Sequence, residues 1–456
     1  MGSKNQKTIG DYVTLQRGNT YKSRLLNLPG PYLLGLGSIE RNGGFRAEKL
    51  KTYGGPSQEK LLVRPGDLFV SLKDITQAGD LLGSIARVPP SIHVGRMTQD
   101  TVKLVFNTDE SIDNSFFYWS LRTPIYKNYC RARALGTTNL SLSRDDFLAF
   151  PIPQYTEERQ TIVSALDAIE AKIELNRQMN AKLEVMAQAL FKSWFVDFDP
   201  VIDNALAAGN PIPNELTERA ERRAQAAQRQ SPEQPHALPA ATRQQFPDRF
   251  VFSETMGWVP EGVDICSVGE EFTVIMGQSP PGDTYNELRK GLPFFQGRTD
   301  FGFRYPSNRI YCTAPKRLAR KGDTLVSVRA PVGDVNIAAD DCCIGRGVSA
   351  VKHVSDSRSF TYYSMQQLKE RFAVFESEGT VFGSINQKDF KALPQVRFSK
   401  NLIEEFEACV GAFDSKIETN TESIRELTRI RDTLLPKLLS GQLRIPEAEQ
   451  MLAEAL

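Results

Sequence analysis

Apolar positions from Ile162 onward recur in alternating steps of four and three: Ile162, Leu166, Ile169, Ile173, Asn176, Asn180, Leu183, Ala187, Leu190 and Trp194. A second run repeats these steps at a constant shift of 244: Phe406, Val410, Phe413, Ile417, Asn420, Ile424, Leu427, Arg431, Leu434 and Leu438. A mean spacing near 3.5 keeps one narrow stripe on one helix face, as in a coiled-coil seam. The pattern predicts long helices at 154–201 and 399–442, paired antiparallel through these stripes. The alternative is that each helix packs on its own globule. Asn176 and Asn420 hold the same seam position, where a buried Asn fixes register at some cost in stability. Asn401 and Glu404 have capping-box spacing at the start of the second helix, and Gly441 suits its C-terminal cap.

Upstream of each helix the period shortens. LLVRPGDLFVSL at 61–72 and RKGDTLVSVRAPVGDVNIA at 320–338 are apolar, β-branched runs punctuated by Gly, Pro and Asp. FFYWSLRTPIYKNY at 116–129 and FTYYSMQQLKERFAVF at 360–375 carry helical patches. Each region reads as a mixed α/β globule with an irregular sheet.

The two regions also repeat one another. GTTNLSLSRDDFLAFPIP at 136–153 aligns without a gap to GTVFGSINQKDFKALPQV at 379–396, sharing Gly136/Gly379, Thr137/Thr380, Ser141/Ser384, Asp146/Asp389, Phe147/Phe390, Ala149/Ala392 and Pro151/Pro394. Gly10/Gly269, Gly18/Gly277, Gly66-Asp67/Gly322-Asp323, Gly83/Gly333 and Gly95-Arg96/Gly345-Arg346 match in the same order. A period this long signals duplicated domains, not a solenoid. The expected fold class is therefore α+β with an internal pseudo-two-fold duplication. Its parts are a globule at 1–153, a helix at 154–201, a largely exposed linker at 202–262, a second globule at 263–398, a second helix at 399–442 and a tail at 443–456. The linker assignment rests on its Ala, Pro, Gln, Arg and Glu content.

Charge adds one feature. The chain is nearly neutral at +1, but residues 1–150 carry 20 Lys/Arg against 13 Asp/Glu, and residues 264–400 carry 19 against 15. Two basic blocks among acidic segments fit two nucleic-acid-binding modules, or an unevenly charged solvated surface. No apolar run approaches the ~20 residues of a membrane span. MGSKNQKTIG has no apolar signal core, and six irregularly spaced cysteines fit a reducing compartment, so a cytoplasmic location is expected. Chemistry is scarce. There is no Gly-x4-Gly-Lys-[Ser/Thr] phosphate loop, and no Asn-Pro-Pro-Tyr or Asp-Pro-Pro-Tyr run of an amino-methyltransferase. His93, His236 and His353 lie far apart, and Cys342-Cys343 lack a second pair at zinc spacing, so neither a catalytic nor a metal site is expected. Glu170-x-Lys172 reads as a solvated helix face.

Three stretches carry a resemblance: ALFKSWFVDFDPV at 189–201, FPDRFVFSETMGWVPEGV at 246–263 and LLPKLLSGQLRI at 434–445. With GQSPPGDTYNELRKGLPFFQGRTDFGFRYP and SVRAPVGDVNIAADDCCIGRG in the second globule, they resemble the specificity subunits of type I restriction-modification systems over essentially the whole chain. The resemblance implies a non-catalytic subunit in which each globule is a target-recognition domain reading half of a split, asymmetric duplex DNA target, while the helices set the gap. It implies two modification subunits carrying S-adenosylmethionine, and restriction subunits that use ATP and Mg. This chain would bind no cofactor itself. Exposed parts of Trp194 and Phe195 would face the modification subunits, unless Trp194 anchors a core. A stand-alone DNA-binding regulator and a structural adaptor for peptides or sugars are the alternatives.

Arginine pairs with guanine, Asn or Gln with adenine, and Lys or Arg with phosphate. On that chemistry the candidate DNA contacts of the first globule are Tyr21, Lys22, Arg24, Arg46, Lys49, Lys51, Lys73 and Arg96. Those of the second are Gln296, Arg298, Arg304, Tyr305, Arg309, Lys316, Arg317, Arg329 and Arg346. Arg96 and Arg346 stand out because each follows a matched Gly.

Overall fold

A computed structural model describes residues 6–47, 50–75, 78–107, 112–228, 238–372 and 383–440, with side chains as far as 436. The chain divides into two compact units. The first joins Met1–Arg177 to Thr421–Leu456, and the second is Gln178–Asn420.

In the first unit, strands β1 (Val13–Arg17), β2 (Leu68–Val70), β3 (Ile85–Arg87) and β4 (Val102–Phe106) form an antiparallel sheet in the order β1-β4-β2-β3. The turn before β2 needs Gly66, whose φ of 90° an L side chain rarely adopts. Asp67 closes that turn by accepting the Arg64 amide at 2.8 Å. Beside this sheet, Gly95–Met97 runs parallel to Tyr32–Leu34 and antiparallel to Leu62–Val63. Helix α1 (Asn114–Ser120) starts at Asp113, which accepts the Phe116 amide at 2.7 Å, and buries Phe116, Phe117, Tyr118 and Trp119. A long helix, α2 (Glu157–Phe195), follows.

The second unit uses the same sheet order. Strands β5 (Phe272–Met276), β6 (Thr324–Ser327), β7 (Val335–Ile337) and β8 (Val348–His353) lie as β5-β8-β6-β7, all antiparallel. Gly322, with a φ of 91°, makes the turn before β6, and Asp323 accepts the Arg320 amide at 2.7 Å. Cys342–Ile344 runs parallel to Leu292–Phe295 and antiparallel to Leu318–Ala319. Helix α3 (Arg358–Gln367) is capped by Ser357, and α4 (Lys400–Ser440) is the second long helix. Ser399 caps it by accepting the Leu402 amide at 3.3 Å, so the helix begins before the predicted Asn401 box. The proposed cap at Gly441 lies outside the described residues.

The heptad positions are inward. Ile162, Leu166, Ile169, Ile173, Asn176, Phe406, Val410, Ile417, Asn420, Leu427 and Leu434 are buried, and Leu183, Leu190 and Phe413 are half-buried. They touch more than one another. In the first unit, Ile162, Leu166, Ile169 and Ile173 share a core with Leu427, Leu434 and the α1 aromatics. In the second, Phe191, Trp194 and Phe195 share one with Phe406, Val410 and Phe360. Within that unit α2 and α4 run antiparallel: Asn420 donates to Asn180 at 2.8 Å, while Phe191 meets Phe406 at 5.6 Å between ring centroids. The partner of Asn420 is thus Asn180. Asn176 instead donates to Ser423, at 3.2 Å, in the first unit.

A buried guanidinium joins each globule to its helices. Arg122 and Arg87 reach Glu170 of α2 at 2.6 and 2.7 Å, Tyr118 donates to the same carboxylate at 2.8 Å, and Trp119 donates to Asp167. Burial pushes the Glu170 carboxyl up, but Arg122 and Arg87 outweigh it and hold the group below its usual range. Glu170 is therefore no solvated face. In the second unit Arg304, its side chain wholly buried, reaches Asp414 of α4 at 2.8 Å and Glu184 of α2 at 3.6 Å. It also donates to the Tyr363 hydroxyl at 2.7 Å.

Phe195 presents no exposed face, and Trp194 is the core anchor of its alternative reading. Trp194 and Phe195 are core residues, 1% and 5% exposed, because the aromatic cluster with Phe406 and Phe398 takes them inside. The stretch 202–262 is more exposed than buried among the described residues, yet parts of it are folded. Helix Asp199–Ala208 buries Val201, Ile202 and Ala205 on one face, and the hairpin of Phe250–Ser253 with Gly257–Pro260 buries Val259. Arg219 and Arg223 fasten that helix through Asp199 and Asp203.

Removing one partner of a desolvated ion pair strands the other charge. Asp414→Ala is expected to cost about 3–5 kcal/mol in urea unfolding. Neutralising the group together, as Arg304→Met with Asp414→Asn and Glu184→Gln, is expected to recover most of that loss. A single and a triple variant with equal midpoints would contradict the joint.

Candidate nucleic-acid interface

Exposure and pairing divide the candidate contacts. In the second unit, Arg304 is buried in the joint just described and cannot reach a duplex. Tyr305 is half-buried at a cavity of about 180 Å³ whose lining includes Lys321, Arg358, Asp414 and Glu418. Arg298 and Arg309 are exposed but neutralised, by Asp334 and by Asp300 at 2.9 Å. Gln296, Lys316, Arg317, Arg329 and Arg346 are exposed, and among the described residues no side-chain hydrogen bond or ion pair engages them.

Backbone hydrogen bonds gather these last residues at one edge. Gly347 donates to the Gln296 carbonyl at 3.0 Å, Gly345 to Phe295 at 2.9 Å, Ile344 to Arg317 at 3.0 Å and Val328 to Gly347 at 3.0 Å. Gln278 joins them by donating to Ile344 at 3.0 Å, and Ser279 accepts the Arg346 amide at 3.3 Å. Gln278 and Ser279 escaped the sequence reading, which searched for cations. Their position just after Gly277, a matched glycine, was the available signal.

In the first unit, Arg96 is 3% exposed. It lies 4.8 Å from the Tyr53 ring centroid and donates to the Thr20 carbonyl at 2.8 Å. It braces the segment that carries Tyr21, Lys22 and Arg24, which are exposed. The Lys22 amide bonds the Tyr53 hydroxyl, and Leu25 and Asn27 bond Gly54 and Thr52, so exposed Lys51 stands on the adjoining segment. Arg46 is exposed. Lys73 is exposed, with Asp100 at 4.0 Å. Lys49 lies outside the described residues. Asn19 and Gln99, exposed beside this group, were not singled out; Gln99 accepts from Arg17 at 3.3 Å.

The matched Gly-Arg pairs are not equivalent in space. Leu62 stands opposite Arg96 and Leu318 opposite Cys343. Both leucines lie four residues before the matched turn glycines Gly66 and Gly322. The strand position of Arg96 is therefore filled by Cys343, which is buried, whereas Arg346 lies beyond the strand in a loop. A dipeptide match could not see this shift of register.

Among the described residues, no group of three or more His, Cys, Asp or Glu is placed to hold a metal ion, and no helix is long and apolar enough to cross a membrane.

No family model matches the chain. Three curated relatives do, of which two follow. One, named as the type I restriction enzyme MjaX specificity subunit of Methanocaldococcus jannaschii, is 33% identical over 198 residues, covering 42% of this chain and 45% of that relative. The other, the type I restriction enzyme HindI specificity subunit of Haemophilus influenzae, is 27% identical over 353 residues, covering 70% of this chain and 74% of the relative. Both relatives are named as type I restriction specificity subunits, the family that the sequence resembles. The match to the MjaX subunit spans less than half of that protein's length. The fold of a type I specificity subunit is also found by structure: the crystal structure of the S subunit from M. genitalium superposes with a TM-score of 0.51 at 16% identity, covering 95% of each chain.

The bracing role of Arg96 has a direct check. In Arg96→Ala, amides of residues 20–27 should exchange with deuterium about tenfold faster or more, corresponding to loss of a charged hydrogen bond of about 1.5–3 kcal/mol. The amides of β1 and β4 should stay unchanged. Uniform acceleration through the unit would assign Arg96 to general stability instead.

Proposed function

We propose that this chain is the non-catalytic DNA-specificity subunit of a type I modification and restriction complex. Each unit reads one half of a bipartite, asymmetric duplex target, and the long helices set the spacer. The proposed reading treats the units as two copies of one recognition module and the helices as an antiparallel coiled coil. The observation that carries it is the recurrence, in a chain with these relatives, of one sheet order and one turn geometry in both units, each with exposed cations on loops. Duplication supplies two readers without requiring them to recognise the same bases.

The loop cations suit this work because phosphate contacts fix position while Arg and Gln edges discriminate bases in the major groove. Methyl transfer would come from two modification subunits carrying S-adenosylmethionine. Cleavage would come from restriction subunits using ATP and Mg. The buried Trp194 and Phe195 are unavailable for docking, so modification subunits would grip exposed helix positions such as Val185 and Met186, which are 64% and 52% exposed.

The test is a map of N6-methyladenine in cells with and without this chain. The expected result is one split motif, methylated only when the chain is present. Binding of the purified complex to that motif should weaken steeply between 50 and 200 mM salt, by about 10³-fold or more if it makes six or more phosphate contacts. Methylation that is indifferent to the chain, or binding indifferent to salt, would contradict the proposal.

A further inference from the structure

At the loop edge of the second unit, backbone hydrogen bonds hold the loops of Gln296 and Arg346 against one another. We propose that Gln296 and Arg346 are the base-reading pair of that edge, Gln296 for an adenine and Arg346 for a guanine. This inference rests on the proposed DNA-reading function and specifies where that function resides.

Charge narrows the candidates first. Arg298, Arg309 and Arg320 are neighbours in sequence or loop, but each is neutralised by an aspartate: Asp334, Asp300 and Asp341. An arginine so engaged would have to break its pair to reach a base. Arg346 has no carboxylate partner among the described residues, and Gln296 has no side-chain hydrogen bond there.

The backbone beneath them makes the second argument. Gly347 and Gly345 donate to the carbonyls of Gln296 and Phe295, which locks the two loops together. Side chains would prevent this approach. A Cβ on Gly345 would lie 2.9 Å from the Gln296 Cα, and one on Gly347 would lie 2.5 Å from the Gln296 oxygen. One on Gly277 would lie 2.2 Å from the Gly345 oxygen. The floor is packed as well: Phe294 is buried and stacks on Tyr285 with ring centroids 4.6 Å apart. Readers on a fixed platform lose little backbone freedom on binding and keep a defined spacing. Gln matches the adenine N6/N7 edge, and Arg matches guanine O6/N7, each through two hydrogen bonds.

The experiment uses the full chain in cells together with its modification subunits, and reads the methylated motif by N6-methyladenine mapping. Gln296→Ala and Arg346→Ala should each relax one position of the same half-site, lowering discrimination there about ten- to a hundredfold. The other half-site and the spacer should not change. Arg346→Lys keeps the charge but not the paired hydrogen bonds, so it should relax the same position as Arg346→Ala while retaining affinity. Arg309→Ala, which removes a neutralised cation, should leave the motif as it was. An unchanged motif in the Gln296 and Arg346 variants would overturn the inference. So would a uniform loss at all sequences in Arg346→Lys, because that reports phosphate holding or folding. If the unaltered chain directs no split-motif methylation, the proposed function itself fails, an outcome distinct from either of these.

Discussion

The desolvated guanidinium–carboxylate joint is the constraint on which the rest depends. A helix can slide or roll against a globule when only apolar contacts hold it, because hydrophobic attraction has little direction. An arginine that must satisfy carboxylates away from water leaves few acceptable positions. Arg122 imposes this on α2 through Glu170, and Arg304 imposes it on α4 and α2 through Asp414 and Glu184. The two units reach that result by different routes. Arg122 directly follows α1, whereas Arg304 comes from a loop that passes beneath β7, where Ile337 donates to its carbonyl at 2.8 Å. The two helix carboxylates nevertheless lie at the same 244-residue shift as the seam.

The joint matters for function because the candidate readers belong to the globules, and the spacing is ascribed to the helices. Gln296 and Arg346 rest on a platform whose small strand Cys342–Ile344 lies directly before the Gly345–Gly347 loop leading into β8. Arg304 lies in the same globule and seats it on the helices. In the first unit Arg96 stays internal, bracing the Tyr21–Arg24 segment through Thr20. Arg122, Arg304 and Arg96 therefore position other segments, whereas Arg346 stays exposed at the loop edge.

Much of the frame was legible in the sequence. The heptad stripe follows from helix geometry, and all of its tested positions proved buried or half-buried. Gly66-Asp67 and Gly322-Asp323 announced the same turn because its φ excludes most other residues. The site was less legible. Arg304 and Arg346 look alike in a linear chain, and only the positions of Asp414 and Glu184, distant in sequence, separate a buried joint from an exposed reader. Arg96 was mistaken for a counterpart of Arg346 because a Gly-Arg dipeptide carries no register. The connector's composition did not announce its buried Ile202 and Ala205, because Ala, Gln and Arg dominate it. Trp194 ends the heptad stripe and anchors the core, as its alternative reading expects, whereas Phe195 gave no sign of its cover until Phe398 and Phe406 were in place.

The central claim is that two readers are mounted on helices whose length sets the distance between half-sites. Inserting one heptad into α2 and a matching heptad into α4, at paired positions, adds about 10 Å of helix, or about three base pairs of duplex. The most direct measurement is the methylated motif of that variant. The account predicts the same bases in both half-sites and a longer spacer between them. Altered half-site bases with the original spacer would contradict it.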